Sequence, residues 1–250
     1  MFDVAFGVVE EEAHRVIVES EHFPHALAPM PRDAIAQYNR AMALTPDNAW
    51  IYANLALAYM DFDDPEMLNK AETAMKRSIE LSPTFAAYSN LGFLYMQQRR
   101  FAESVAATEK ALKLNDQSYQ VWDNLIAGYE WLKESQKASA ARERTIELLE
   151  SGVKLDPQNA GAQAKLSALY AKNGAREKAV EKINIALALS PDNQYVLSQI
   201  ADAYELLGDR AQAIQTLQHA LKSGLSRASL REDPEIQDLI RDPRFKTPGA

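Results

Sequence analysis

The stretch AGAQAKLSALYAKNGAREKAVEKINIALALSPDN, residues 160 to 193, decides the fold. Its first half places Gln163, Leu166, Ser167 and Tyr170 at i, i+3, i+4 and i+7, which is one face of a helix. Its second half places Ala179, Ile183 and Ala186 at i, i+4 and i+7, and these side chains include small ones that let two helix axes approach closely. Between the halves stands Asn173-Gly174, a pair that stops a helix. The stretch closes on Ser190-Pro191-Asp192-Asn193, where the proline cannot continue one helix but suits the first turn of the next.

The same signature returns along the chain. Tyr170 is one of five tyrosines, Tyr59, Tyr95, Tyr129, Tyr170 and Tyr204, spaced by 36, 34, 41 and 34 residues. Each stands four positions after an aliphatic residue, namely Leu55, Leu91, Leu125, Leu166 and Ile200. A period in the mid-thirties built of two helical patterns describes units that cannot bury their apolar faces alone and must stack on their neighbours. With only nine glycines among 250 residues, 47% apolar residues and abundant Ala, Leu, Glu and Lys, the composition favours helix throughout. No alternation is long enough to build a sheet.

Charge and cysteine content bound the function. The net charge of -8 and pI near 5.1 argue against a nucleic-acid partner, which needs a clustered basic face. Basic pairs such as Arg99-Arg100 are short and flanked by acids. With no cysteine, disulfides and thiolate metal sites are absent and the redox compartment stays open. The apolar run Val4 to Val9 is too short to span a bilayer and runs into Glu10-Glu11-Glu12, so direct membrane insertion is not expected, nor is a signal peptide. A cytoplasmic location is favoured, or an extracytoplasmic one if the chain is cut from a membrane-anchored protein. The start Met1-Phe2-Asp3 suits such a piece.

These positions resemble the tetratricopeptide repeat family, whose unit is a pair of antiparallel helices in about 34 residues. The unit from Ala49 supplies Tyr52, Leu55, Ala56, Tyr59, Ala71, Met75, Ser78 and Pro83, with three extra residues in its turn. The unit from Phe85 supplies Tyr88, Leu91, Gly92, Tyr95, Ser104, Thr108 and Ala111, with Asp116 where the family has proline. Tyr119 opens a third, with Trp122, Leu125, Ile126, Tyr129 and Ala138; units from Ala160 and Gln194 follow. Ala34, Tyr38, Ala41 and Pro46 fit the second helix of a half-unit. The resemblance implies an all-α, right-handed α-solenoid, a superhelix of antiparallel helix pairs, with atypical caps at both ends. Its segments are an N-terminal cap 1–31 and an array 32–223, followed by a C-terminal cap 224–250. The array comprises a half repeat 32–48 and full repeats 49–84, 85–118, 119–159, 160–193 and 194–223.

The third repeat departs from the pattern, because Pro157 arrives seven residues late and no breaker intervenes between Glu134 and Glu150. Seven residues are nearly two turns, so Ile146, Leu149 and Val153 keep one direction and the helix overhangs, unless Ser151-Gly152 breaks it. At the start, Val4 to Val18 has an amphipathic pattern before His22-Phe23-Pro24. At the end, Asp233-Pro234 and Asp242-Pro243 each look like a helix start, which predicts one or two short helices. Residues 119 to 245 also resemble the helical-repeat regions appended to bacterial signalling proteins such as serine/threonine kinases and winged-helix regulators. That implies a sensory or docking region.

The family's concave face is lined by the first helix of each unit. Carried over, its positions include Trp50, Asn54, Leu57 and Met60, then Asn90, Phe93 and Met96, then Asn124 and Trp131. Asn54, Asn90 and Asn124 form a ladder of side chains able to donate to and accept from the backbone of a peptide of any sequence. The Leu, Met, Phe and Trp side chains add adaptable apolar area. The expected partner is therefore an extended or helical segment of another protein. The last two units place Lys165 and Gln199 at the ladder position, with Ala164, Ala168 and Ala171 along the groove, a surface with less to grip. The basic clamp that some relatives use for a C-terminal carboxylate is missing, since Ala53, Gln120 and Asn124 hold its positions.

Other classes fare less well. The sequence has no Gly-rich phosphate loop, no Gly-x-Ser-x-Gly elbow and no His-Glu-x-x-His, so no catalytic residue and no cofactor is expected. His14, His22 and His25 lie near Glu10 to Glu12, Glu19 and Glu21, a set whose chemistry suits zinc but whose spacing matches no metal motif. Self-assembly of the chain through exposed solenoid end faces, giving a homo-oligomer, is the alternative to peptide binding.

Overall fold

The computed structural model describes residues 31–62, 64–226 and 234–245. Within them lie twelve helices and no strand. They are α1 (Pro31–Leu44), α2 (Ala49–Met60), α3 (Pro65–Leu81), α4 (Phe85–Gln97), α5 (Phe101–Leu114), α6 (Tyr119–Trp131) and α7 (Ser135–Leu155). The rest are α8 (Ala160–Lys172), α9 (Arg176–Leu189), α10 (Gln194–Leu206), α11 (Arg210–Lys222) and α12 (Pro234–Arg241). The architecture is that of an all-α solenoid of consecutive helix pairs. No described helix is long and apolar enough to cross a membrane.

Local chemistry sets the helix boundaries. Asn48, Asp64, Thr84, Asn159, Asn193 and Asp209 each cap a helix by accepting from backbone N–H groups of its first turn, which would otherwise lack a partner. The turn inside each pair is equally regular. Four residues after the repeat tyrosine the chain takes a positive φ, at Arg99 (57°), Lys133 (60°), Gly174 (74°) and Gly208 (78°). The N–H groups of Arg100, Glu134, Ala175 and Asp209 then return to the carbonyls of Tyr95, Tyr129, Tyr170 and Tyr204 at 2.8 to 2.9 Å. That closure of the helix end is worth enough for arginine and lysine to occupy a conformation that glycine adopts freely.

The contacts divide the chain into two compact units, residues 1–141 and 142–250, with α7 running through the division. Its 21 residues form one continuous helix of about 30 Å, so Ser151-Gly152 does not break it. Ser151 Oγ instead donates back to Glu147 O at 2.9 Å, keeping the turn helical.

In the first unit each of α1 to α5 packs on the next, and α2, α4 and α6 also touch in turn. Leu55, Ala56, Ala71, Met75, Leu91 and Leu94 form the centre of the core. The helices approach closely where side chains are small. Ser104 Oγ donates to Gly92 O at 2.7 Å, and Ser78 Oγ reaches Ala49 O at 2.8 Å. A Cβ on Gly92 would stand 2.4 Å from Thr108 Oγ1, too near for real atoms.

In three of the pairs the repeat tyrosine ties the first helix to the helix before it. Tyr95 OH donates to Glu72 Oε1 at 3.1 Å, Tyr129 OH to Glu109 Oε1 at 2.6 Å, and, in the second unit, Tyr170 OH to Glu150. A cation from the following helix start covers each ring, with Arg100, Lys137 and Lys178 at 4.3, 5.3 and 5.1 Å from the centroids. Burial, reinforced by the carboxylate acceptor, raises all three phenols above their usual range. Glu72 carries the most partners. Burial opposes its charge, but hydrogen bonds from Arg100, Lys76 and Tyr95 more than offset this and hold it at about 2.

In the second unit α8 packs on α9, α10 on α11, and α8 extensively on α10. Its far end is sealed by α12, whose Leu239 is fully buried against Ala201, Ala213, Ile214 and Leu217, with Phe245 packed beside it. Of the two helix starts read from Asp-Pro pairs, only Pro234 opens a helix. Asp242 turns its carboxylate onto the Arg244 N–H at 2.9 Å and onto the Arg244 guanidinium, making a tight turn where a helix was expected. The N-terminal cap and its Val4 to Val18 pattern lie outside the described residues.

Two outcomes follow from this packing. Gly92→Ala should lower the urea midpoint by the equivalent of about 1–3 kcal/mol, because Thr108 or the helix backbone must move. Gly152→Ala, at an open site in α7, should raise it by up to about 1 kcal/mol. Because folding depresses the Glu72 pKa from 4.5 to about 2, its contribution is complete above about pH 4.5 and is lost as pH falls toward 2. Urea titrations across that window should show Glu72→Gln losing less stability than the parent, by roughly 2 kcal/mol after allowing for the solvent around Arg100.

Candidate functional site

All nine residues expected to line the groove lie in the first unit, on α2, α4 and α6. Each of these helices turns its aliphatic face inward, with Ile51 and Leu55, Ala87 and Leu91, and Val121 and Leu125 buried. What remains on the other side is unusually apolar for a surface. Leu57 is 39% exposed, Phe93 46% and Trp131 48%. Met60 and Met96 are half-buried beside them, and the Met96 Cε lies 3.7 Å from where a Cβ on Gly128 would stand, bridging α4 to α6.

The aromatic ends are held in place. Trp131 stacks on Phe101 with centroids 4.7 Å apart and planes within 3°, so its indole is fixed against the start of α5 while much of it stays in solvent. Trp50 packs edge-on to Tyr38 of α1 at 6.1 Å and is half-buried, which makes it partly a structural residue.

The asparagines are not equivalent. Asn54 donates its Nδ2 to the Trp50 carbonyl at 2.9 Å, one turn back in its own helix. Asn90 and Asn124 make no hydrogen bond to any described residue, although both are half-buried. Neither amide is a buried unpartnered group, so both meet solvent, where their donors and acceptors are available to a ligand.

The second unit presents a different surface. Ala164 and Ala171, expected along the groove, are buried at 0% and 6%, and Gln163 is buried at 4%. The alanines of α8 let α10 approach along its length, closing the face that Leu57, Phe93 and Asn90 hold open in the first unit.

Sequence reasoning missed Phe101, because nothing in the spacing of 30 residues to Trp131 signals a stack. It also missed a groove of about 780 Å³ between α1 and α3, floored by Tyr52, Leu55 and Tyr59 and rimmed by Lys70, Lys76 and Arg77. Those cations are already engaged with Glu66, Glu72, Glu80 and Asp47. Among the described residues no group of three or more His, Asp or Glu could hold a metal, and His14, His22 and His25 lie outside them.

Three stretches of the chain match family models, described as TPR repeat over residues 32–61 and as tetratricopeptide repeat over 85–118 and 196–234. Over those three stretches the chain is similar to tetratricopeptide repeats. No curated protein sequence matches it. Among solved structures it is similar to pilF of Pseudomonas aeruginosa, with 15% identity over 94% of this chain and 96% of that one and a TM-score of 0.55. It is also similar to a thermophilic TPR protein of Thermus thermophilus, with 17% identity, 77% and 98% coverage and a TM-score of 0.55. A third is YrrB, a TPR protein described as having an unusual peptide-binding site, with 17% identity, 76% and 94% coverage and a TM-score of 0.50. At these identities the likeness is one of fold. The repeats account for why Asn54, Asn90 and Asn124 recur at one position, but not for why only two of them are left open.

The open pair makes a specific prediction. Asn90→Ala and Asn124→Ala should each shift the urea midpoint by less than the equivalent of about 0.5 kcal/mol, since no protein bond is lost. Ser78→Ala, which removes a bond between helices, should cost about 1 kcal/mol or more in the same titration.

Proposed function

We propose that this chain is a non-enzymatic protein-interaction scaffold that holds an extended or helical segment of another protein along α2, α4 and α6. The observation that carries this reading is the coincidence, on one face, of the exposed Leu57, Phe93 and Trp131 with the unpartnered amides of Asn90 and Asn124. Apolar side chains supply area that a ligand can cover, and the amides can pair with its backbone groups. Neighbouring helices pack about 8–10 Å apart, so an extended segment advances about three residues between one ladder position and the next. Asn54 contributes less, because its donor serves its own helix.

The tetratricopeptide repeats support a scaffold role, and the description of YrrB as peptide-binding is in keeping with it. The resemblance of residues 119 to 245 to regions appended to bacterial signalling proteins adds the reading that this scaffold serves docking within such a protein. Nucleic acid remains a poor fit to a chain of net charge -8.

Titration of a peptide library against the chain, with light scattering on the same sample, tests the proposal. Binding is expected in the micromolar range or tighter and should weaken at least tenfold in Asn90→Ala/Asn124→Ala. If no peptide binds and the mass is that of a dimer or larger, the chain is an assembly module and the reading fails.

A further inference from the structure

We infer that the groove between α1 and α3 is a docking site for the chain's own N-terminal stretch, residues 4–18, with a carboxylate of Glu10, Glu11 or Glu12 accepting from the Tyr59 hydroxyl. This surface is separate from the face read above as peptide-binding. Leu55 in the groove and the exposed Leu57 are neighbours but one on α2, so they point to nearly opposite sides of it.

The other repeats show what the groove lacks. Tyr95, Tyr129 and Tyr170 each donate to a glutamate on the second helix before them. Glu109 and Glu150 stand twenty residues ahead of Tyr129 and Tyr170, whereas Asn39 stands twenty residues ahead of Tyr59. Asn39 is exposed and Tyr59 half-buried, and neither forms a hydrogen bond to any described residue. Where those repeats seat a glutamate against the phenol, a space of about 780 Å³ lies open beside Asn39, Met42, Tyr52, Leu55 and Tyr59. Its occupant must bring an acceptor for the phenol, best supplied by a carboxylate, and apolar side chains for the floor. The rim cations do not set this requirement, since Lys70, Lys76 and Arg77 already have carboxylates of their own.

The chain holds a segment of that chemistry next to the groove. It lies before Pro31, the residue that opens the groove wall α1. There Glu10-Glu11-Glu12 is flanked by Val8-Val9 on one side and Val16-Ile17-Val18 on the other. A chain as long as residues 13–30 reaches about 60 Å when extended, well beyond the roughly 21 Å of α1. Such a tether keeps the segment at a local concentration on the order of millimolar, so weak contacts suffice to hold it. The far end of the array provides a precedent. Tyr204, with Asn184 twenty residues ahead of it, packs against the cluster that Leu239 of α12 completes. There the chain's own C-terminal stretch lies against a tyrosine that has no glutamate acceptor among the described residues.

Because the sequence has no cysteine, a pair introduced by mutation reports proximity without background. Under mild oxidation, Ala13→Cys with Thr73→Cys, on the α3 wall, should form a disulfide within one chain about tenfold faster than Ala13→Cys with Phe93→Cys, on the other face. Tyr59→Phe, and separately Glu10→Gln/Glu11→Gln/Glu12→Gln, should each slow the first pair by about threefold or more, with the helical circular-dichroism signal and the second pair's rate unchanged. Equal rates for the two pairs, or a first-pair rate indifferent to both variants, overturn the inference. Faster reaction with Phe93→Cys also overturns it and seats the segment on α2, α4 and α6. A disulfide formed only between chains, at a rate that rises with chain concentration, makes a second copy the occupant and overturns docking within one chain.

Discussion

Three of the first helices, α4, α6 and α8, are fastened to the second helix before them by a buried tyrosine whose hydroxyl reaches a carboxylate, Tyr95 to Glu72, Tyr129 to Glu109 and Tyr170 to Glu150. No helix pair here can cover its own apolar faces, and this contact fixes how far along and at what angle the next pair sits. A phenol is suited to the task because its ring fills the gap between two helices while its polar end still finds a partner at the rim. The cations that cover the rings from the far side complete the arrangement without burying an unpaired charge. Stability is accordingly local, carried pair by pair.

Function follows from what this packing leaves over. A first helix in such a stack contacts its own partner and the helix before it, so one strip of its surface belongs to no core. In the first unit that strip holds side chains too large for neighbouring first helices to close upon, and it stays open with apolar and amide groups on view. In the second unit Ala164 and Ala171 on this strip of α8 are buried, and α10 packs extensively on α8. Small side chains let the two helices approach where the first unit keeps larger ones.

Much of this was legible in the residues. The tyrosine period, the Asn-Gly turn and the Ser-Pro stop fixed the helix pairs, because helical periodicity and turn chemistry are local properties that need no knowledge of the rest of the chain. The length of α7 was legible for the same reason, since two additional turns preserve the direction of Leu149 and Val153. The second Asp-Pro misled because the same aspartate that can cap a helix can also fold back on the N–H two residues ahead. Here the local Asp242–Arg244 bonds prevail.

The sequence by itself determined the helices, their pairing and the recurrence of asparagine on one face, since all three are written in periods shorter than a repeat. Only the tertiary structure decided which of those asparagines is free. Asn54 donates to the Trp50 carbonyl of its own helix, while Asn90 and Asn124 make no such bond. Likewise only the folded chain brings Phe101 under Trp131 and sets α10 against the alanines of α8. Hydrogen-bond competition and contact between side chains far apart in sequence depend on distances that a one-dimensional pattern does not contain.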